Sequence, residues 1–235
     1  MPGMYKHNKC LNRMPTASLR YCGGFAIFAQ YSATLGWHQL GKRHVPENCS
    51  VSSKILKMDY KLLDSTQQQD VSLLFKSAFT ASEGKVEGEL IGNLASQLAS
   101  AIDNLNIICI GAYENEKIIG SIFFTRLMFD EPIMVYMLAP VAVDTGYQGM
   151  GIGQALIMHG LNILKSRSVS IVITYGDPSF YSRVGFEPLS ENIIKAPIRL
   201  SMPDGWLGQS LTRKPIPTIK DRPRCVNEFN DPVYW

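Results

Sequence analysis

The chain has 235 residues, 46% of them hydrophobic, with a formal net charge of +3 at pH 7, which suits one domain with a sizeable core, alone or with an appendage. A compact apolar patch at residues 25–31 is too short for the ~20 residues of a membrane span, and we expect no membrane partner. The five cysteines include no C-x-x-C and do not group with the four histidines, so we predict no metal site and no disulfide framework. Cys109, inside an apolar run, suits a reducing cytoplasm.

The first 57 residues differ in charge from the remainder. They carry eight Lys or Arg and one acid, Glu47, whereas residues 58–235 carry fifteen basic and nineteen acidic residues. A basic, acid-poor leader is found in organellar transit peptides and nucleic-acid-binding arms, but charge without a recognition motif does not predict nucleic-acid binding. Because Met58 stands as an alternative start, we expect residues 1–57 to be a disordered or non-native extension.

From residue 58 onward, apolar periodicity predicts alternating strands and helices. The predicted elements, in chain order, are strand 61–63, helix 65–79 capped by Asp64 or Ser65, helix 90–102, strands 107–113, 118–128 and 133–143, helix 152–165, strand 169–175, helix 179–184, a short return at 186–188, and a last strand at 193–202. An antiparallel meander followed by a strand–helix–strand crossover implies an α/β fold, with a mixed, mostly antiparallel central sheet and helices on both faces.

A glycine-spaced loop joins the strand at 133–143 to the helix that begins at Ile152. The first N–H groups of a helix have no intrahelical partner, and the macrodipole adds roughly half a positive charge there, so this helix start favours a phosphate group. Gly149, Gly151 and Gly153 let a diphosphate approach the backbone without meeting a Cβ. The spacing is neither a Walker motif nor a dinucleotide fingerprint, which disfavours an ATPase or a dehydrogenase.

Two motifs resemble those of the Gcn5-related N-acetyltransferases (GNAT family). The loop Gln148-Gly149-Met150-Gly151-Ile152-Gly153 is similar to the acetyl-CoA signature [Q/R]-x-x-G-x-[G/A] of that family. Downstream, residues 176–186 read GDPSFYSRVGF, which resembles the later F-Y-x-x-x-G-F element and its form in a bacterial subgroup named after YhbS. The resemblance implies a GNAT-like acetyltransferase domain at 58–202, followed by a Pro-rich tail at 203–235 that packs on the domain.

The resemblance also implies site residues. Acetyl-CoA would be the co-substrate, Tyr181 would protonate the departing thiolate, and Val141 and Val143 would contact the pantetheine arm through their backbones. A backbone N–H at Val143 or a neighbour would stabilise the oxyanion. The diphosphate would be held by Gln148, Gly149, Met150, Gly151, Ile152 and Gly153. Tyr175 is a weaker candidate acid, and His159 is expected to be a satisfied structural residue.

The general base and the acceptor are open at this point. Asp177 stands where the family more usually has asparagine, and we interpret it as a turn-capping residue before Pro178 rather than a base. Glu83, Glu87 and Glu89 could face a basic substrate, although a solvated acidic face is the simpler interpretation. The predicted function is acetyl transfer to an amine of a small molecule or protein. The alternative is a catalytically silent acyl-CoA-binding or protein-interaction module, and an exposed strand edge near the C-terminus would allow a homodimer.

Overall fold

The central feature of the fold is a seven-stranded sheet. The computed structural model describes residues 58–235. Its strands are β1 (Asp59–Leu62), β2 (Ile107–Glu114), β3 (Lys117–Leu127), β4 (Val135–Val143), β5 (Ile171–Tyr175), β6 (Glu187–Pro188) and β7 (Trp206–Ser210). They lie in the order β1-β2-β3-β4-β5-β7-β6. Only the β4–β5 pair among these described strands is parallel, so the predicted mixed, mostly antiparallel sheet is confirmed.

Helices cover both faces of this sheet, as the sequence predicted. The helices are α1 (Gln68–Glu83), α2 (Lys85–Ser100), α3 (Ile152–Ser166) and the short α4 (Pro178–Tyr181). Buried residues of α1 and α2 share one hydrophobic core with alternate residues of the strands. Buried residues of α3 and Tyr181 of α4 form a second core with the other strand residues. This alternation follows from the two-residue side-chain period of a strand.

The helices α1 and α2 form a tight hairpin. Asp64 caps the turn Ser65–Gln67 that leads into α1, accepting a bond from the Thr66 amide at 2.8 Å, and a capping box is complete. Gly84 separates the two helices with a φ of +98°. At Gly88 an added Cβ would lie 1.9 Å from the Thr80 hydroxyl oxygen, so the close approach of the two helices requires glycine there.

The predicted last strand at residues 193–202 is wrong. The segment makes an isolated bridge from Ile194 to Ile219, and Ile193 and Ile194 instead donate backbone bonds to the Ser190 carbonyl. Its apolar side chains do enter the core, but Pro197 cannot donate to a ladder. The strand that pairs with β5 is β7, whose Gly208 lowers its intrinsic strand propensity.

The C-terminal residues lie on the α1–α2 face of the sheet. Phe229, Tyr234 and Trp235 are buried in that core, and the indole N–H of Trp235 donates to the Phe229 carbonyl at 2.9 Å. The range assigned to the tail also contains β7, which is part of the sheet. The division at residue 202 stays a prediction.

Some predictions fall outside the part of the chain that the structure describes. The extension at residues 1–57, with three of the five cysteines, lies entirely outside it. Among the described helices, none is long and apolar enough to cross a membrane. The homodimer stays a prediction.

Candidate active site

The strands β4 and β5 pair over only part of their length and then separate, which leaves a split in the sheet. The two strands pair from Val135 with Ile171 to Leu138 with Thr174, and β4 then continues to Val143. Just beyond Leu138 the register between β3 and β4 shifts by one residue. In residues 58–235 no strand pairs with this edge of β4 after Leu138. Backbone N–H and C=O groups require partners, so this edge can take a ligand that runs along the strand.

The residues predicted for pantetheine lie on this free portion of β4. Val141 and Val143 both turn their side chains toward the α3 core, which leaves contacts with a ligand to their backbones. The Gln148 amide folds back and donates to the Val143 carbonyl at 3.1 Å. Gln148 therefore joins the end of β4 to the loop that follows.

The glycine loop leads directly into α3. Gly149 and Gly151 have φ values of +78° and +79°, and an added Cβ at either residue would meet nothing within 4 Å. Gly151 is the N-cap of α3 but offers no side-chain cap, and the first helical turn contains no acid. Unpartnered helix amides, the positive end of the dipole and open space above the glycines together fit a diphosphate.

The remaining loop residues differ in exposure. Met150 is among the exposed hydrophobic residues, whereas Ile152 is buried in the α3 core. At Gly153 an added Cβ would lie 3.4 Å from Val143 Cγ2 and 3.5 Å from Phe180 Cζ. The loop, the end of β4 and α4 thus meet around Gly153, so the two sequence motifs, far apart in the chain, are adjacent in the fold.

Tyr181 lies beside the split in the sheet. Its ring is only 2% exposed and makes edge contacts with Phe180 and Phe186 at centroid distances of 5.0 and 5.7 Å. Burial raises the pKa of Tyr181 to about 12, although a hydrogen bond with Thr174 acts in the opposite direction. The Thr174 hydroxyl in turn donates to the Leu138 carbonyl at 2.8 Å. A short polar chain therefore links the phenol to the last paired residue of β4.

Asp177 caps the short helix that carries Tyr181. Its carboxylate accepts bonds from the Ser179 amide at 2.8 Å and the Ser179 hydroxyl at 2.7 Å, and Pro178 occupies the first turn. The interpretation of Asp177 as a turn-capping residue is confirmed.

The other two ring residues considered from the sequence have structural contacts. His159 stacks on Tyr60 with ring centroids 4.6 Å apart, in accord with the satisfied residue that we expected. The Tyr175 hydroxyl lies 2.9 Å from the Ser201 hydroxyl and accepts from the Met202 amide at 2.8 Å. Tyr175 belongs to the α1–α2 core, so the structure places it on the opposite face from Tyr181.

The α1–α2 hairpin contributes a pair of acids. One carboxylate oxygen of Glu83 and one of Glu87 are buried without a hydrogen-bond partner. Burial raises the pKa of Glu83 to about 8, with a further contribution from the charge of Glu87, and burial also raises the pKa of Glu87. Glu89, in contrast, is half-exposed and pairs with Lys76 at 2.8 Å. The solvated acidic face expected from the sequence describes Glu89 but not the other two.

Contacts along α1 indicate where this hairpin lies. The chain enters α1 beside β2, where the Leu63 amide bonds to the Cys109 carbonyl at 2.9 Å. Phe75, near the middle of α1, packs against Phe123 of β3 at 5.7 Å between centroids. The helix also contacts β4 and the turn Thr145–Tyr147. It therefore crosses the sheet from β2 toward β4, on the face opposite α3.

The sequence did not predict several polar residues near the site whose side chains contact residues that are distant in the chain. Thr174 lies at the end of a β-branched run, and its sequence context predicted only a strand, not its contacts with Tyr181 and Leu138. Residues at the tip of the β2–β3 hairpin contact the turn Thr145–Tyr147: Lys117 Nζ lies 2.8 Å from Asp144 Oδ2, and the Tyr147 hydroxyl lies 2.5 Å from Glu114 Oε2. The charged connector at residues 114–117 was the only signal for these contacts.

The free end of β4, the glycine loop and the N-terminus of α3 lie together in an arrangement that suits an anionic, phosphate-bearing ligand. A family model described as an acetyltransferase (GNAT) domain matches residues 106–188. The uncharacterized N-acetyltransferase YjhQ of Escherichia coli K12 is 33% identical over 175 residues, which cover 72% of this chain and 92% of YjhQ. The chain belongs to the GNAT family of N-acetyltransferases.

Further similarities agree with the expected subgroup and fold. The uncharacterized N-acetyltransferase YhbS of E. coli K12 is 38% identical over 72 residues, or 30% of this chain and 43% of YhbS. The crystal structure of E. coli YhbS in complex with CoA aligns with a TM-score of 0.54 at 23% identity, covering 72% of this chain and 86% of that one. A GNAT acetyltransferase from Brucella melitensis in complex with acetyl-CoA aligns with a TM-score of 0.53 at 20% identity, covering 69% and 94%. The predicted YhbS-like GNAT resemblance and GNAT-like fold are confirmed.

Proposed function

We propose that this protein transfers the acetyl group of acetyl-CoA to an amine of a small molecule or protein. The observation that carries the proposal is the meeting of the glycine loop, the free edge of β4 and the Tyr181 helix around Gly153. Membership of the GNAT family supports acetyl-CoA as the co-substrate.

In this proposal the backbone binds the co-substrate. Amides at the start of α3, within the loop Gln148 to Gly153, hold the diphosphate, and the backbone of Val141 and Val143 contacts the pantetheine arm. The lack of an acid in the first turn of α3 keeps a competing negative charge away from the phosphates. The glycines of this loop contribute by lacking a Cβ that would obstruct the ligand.

Acetyl transfer requires a proton at the leaving sulfur. The amine nitrogen attacks the thioester carbonyl carbon, the C–S bond breaks, the nitrogen loses a proton and the sulfur gains one. Because burial raises the pKa of Tyr181 to about 12, the phenol stays protonated and remains a hydrogen-bond donor throughout the neutral range. We assign Tyr181 as the donor to the departing thiolate.

The acceptor amine is proposed to carry a positive charge. Buried carboxylate oxygens without partners are costly, and an ammonium group is the natural partner for Glu83 and Glu87. A lysine-type amine, with a pKa of about 10.4, arrives protonated at neutral pH, and it must release that proton to solvent or to a base before its nitrogen attacks. Because the pKa of Glu83 in the free protein is about 8, the variant Glu83→Gln should raise the KM for a cationic amine most strongly above pH 8, where Glu83 is ionised, and should leave acetyl-CoA affinity unchanged.

The experiment that tests the function is calorimetric titration of the full chain with acetyl-CoA, followed by a thiol-release assay with a panel of cationic and neutral amines. Binding with amine-dependent thiol release would support the enzyme. The burial of Tyr181 favours a second candidate, a silent acyl-CoA-binding module. Binding without thiol release for any amine would support that candidate, and absence of binding would overturn both.

A further inference from the structure

The tip of the β2–β3 hairpin touches the start of the glycine loop. β2 ends at Glu114 and β3 begins at Lys117, and the two residues between them, Asn115 and Glu116, have φ values of +47° and +66°. Two successive positive φ values indicate a tight two-residue turn that fixes the register of both strands. The positions of Glu114 and Lys117 are therefore set by the sheet.

Two side-chain contacts join this tip to the turn Thr145–Tyr147. Lys117 Nζ lies 2.8 Å from Asp144 Oδ2, and the Tyr147 hydroxyl donates to Glu114 Oε2 at 2.5 Å. Lys117 Nζ also lies 5.6 Å from the centre of the Tyr147 ring. We name these four residues, Glu114, Lys117, Asp144 and Tyr147, the hairpin brace.

Asp144 transmits the contact to the loop backbone. Its second carboxylate oxygen accepts from the Gly146 amide at 2.9 Å, and its own amide donates to the Ile119 carbonyl at 2.9 Å. Its carbonyl accepts from the Tyr147 amide at 2.8 Å. One residue thus connects the rigid hairpin with the turn that precedes the glycines.

The loop beyond this turn is rich in glycine. Gly149 and Gly151 adopt positive φ values that only glycine adopts freely, and nothing lies within 4 Å of their would-be Cβ positions. The N-cap residue of α3 gives no side-chain bond. Glycine-rich backbone loses much conformational entropy when it is fixed, so support from outside the loop would lower the entropy cost of binding.

We propose that the hairpin brace holds the glycine loop in its binding conformation and so raises the affinity for the diphosphate of acetyl-CoA. This inference rests on the proposed function, because it takes the loop as the diphosphate site. The four residues are positioning residues: they act through the loop backbone and need not touch the ligand. They should therefore affect binding more than turnover.

The test compares acetyl-CoA affinity and kinetics in variants of the full chain. Lys117→Met, Asp144→Asn and Tyr147→Phe should each raise the Kd and the KM for acetyl-CoA by about two- to fivefold, the range expected for a surface contact. The double variant Lys117→Met with Tyr147→Phe should raise them by about tenfold. The kcat should stay within about twofold, and Lys117→Arg should restore wild-type affinity by remaking the ion pair.

A matched control breaks an ion pair elsewhere. Arg224 pairs with Asp130 at 3.2 Å, with both side chains exposed, at the edge of the sheet where β3 ends. Arg224→Met should leave the Kd unchanged. Amide hydrogen exchange gives a second readout, since exchange at residues 148–153 should accelerate in Lys117→Met while the Tm stays unchanged.

The results would distinguish support of the loop from direct contact with the ligand. If wild type binds acetyl-CoA and all three single variants bind equally well, the brace is overturned while the proposed function stands. If Lys117→Met weakens binding and Asp144→Asn does not, Lys117 acts directly on the ligand charge, and the brace is again overturned. If wild type does not bind acetyl-CoA, the proposed function fails and the brace fails with it.

Discussion

The two faces of the sheet differ in the protein groups that we propose for ligand binding. On the α3 face, the proposed binding groups are backbone amides and carbonyls, exposed by a diverging strand and by glycines. On the α1–α2 face, the proposed groups are the side-chain carboxylates of Glu83 and Glu87. Backbone recognition here requires glycine at regular intervals, at positions 149, 151 and 153, whereas side-chain recognition constrains only single positions. One face therefore leaves a motif in the sequence and the other does not.

The two faces also differ in the charge that they favour. The start of α3 combines a positive helix dipole with the absence of acids in its first turn, which favours an anion. The α1–α2 hairpin places two carboxylates close enough for the charge of Glu87 to contribute to the raised pKa of Glu83, which favours a cation. An anionic acetyl donor and a cationic acceptor would then approach the split from different faces.

The largest expected effect tests whether a residue on the α3 face, Tyr181, donates the proton to the leaving thiolate. Tyr181→Phe should lower kcat by about 10²–10³-fold, the range for loss of a positioned acid, because the variant cannot supply a proton to the thiolate. The Kd for acetyl-CoA should stay within about twofold. Thiol release and calorimetry on the same preparation measure the two quantities.

Tyr175→Phe is the matched control for this prediction. Tyr175 also follows the end of the pairing between β4 and β5, but its hydroxyl bonds to Ser201 and Met202 on the other face. Its kcat should stay near that of wild type. Equal losses in the two variants would show that loss of a tyrosine hydroxyl on either face disturbs the fold enough to lower activity, and would remove Tyr181 from the acid role.

A smaller effect tests whether the glycine loop binds through its backbone. Gly151→Ala should raise the Kd for acetyl-CoA about tenfold, because the left-handed conformation costs about 1–2 kcal/mol for a residue with a Cβ and the methyl group would enter the open space above the loop. Gly84→Ala also imposes a Cβ at a positive φ with nothing within 4 Å. It should lower stability without changing the Kd.

Strand and helix order could be predicted from the sequence because each element has its own apolar period. The loop at residues 148–153 could be predicted because its glycines recur in a regular pattern. The last strand could not, since residues 193–202 are richer in β-branched residues than β7, yet β7 has the backbone that pairs with β5. Long-range pairing outweighed local propensity there.

The polar contacts of the site join residues that are far apart in the sequence, so no local sequence pattern predicts them. Thr174 and Leu138 are 36 positions apart and Lys117 and Asp144 are 27 apart, so only the fold brings them together. The partial burial of Glu83 and Glu87 was also invisible, because charged residues at helix ends are usually solvated. The α1–α2 face was consequently the less predictable of the two.

The smallest expected effect concerns the stability of that face. The pKa of Glu83 is raised from its ordinary value of 4.5 to about 8, so between these values the folded state holds a proton that the unfolded chain has released. Stability should therefore be highest below about pH 4.5 with respect to this group, and it should fall as the pH rises through about 8. Glu83→Gln removes the titrating proton and should flatten the fall in Tm across that window.

The control for this prediction uses the half-exposed acid on the same helix hairpin. Glu89→Gln removes an acid that is half-exposed and pairs with Lys76 at 2.8 Å, so comparing it with Glu83→Gln separates the effect of the buried oxygen from the loss of any acid on this hairpin. Glu87→Gln combined with Glu83→Gln should flatten the slope further, since burial raises the pKa of Glu87 as well. If the Glu83→Gln variant and wild type have the same slope, Glu83 is ionised and solvated at neutral pH. The carboxylates of the α1–α2 hairpin would then be ordinary surface groups, and the cation site proposed there would rest on surface charge alone, without the contribution from burial.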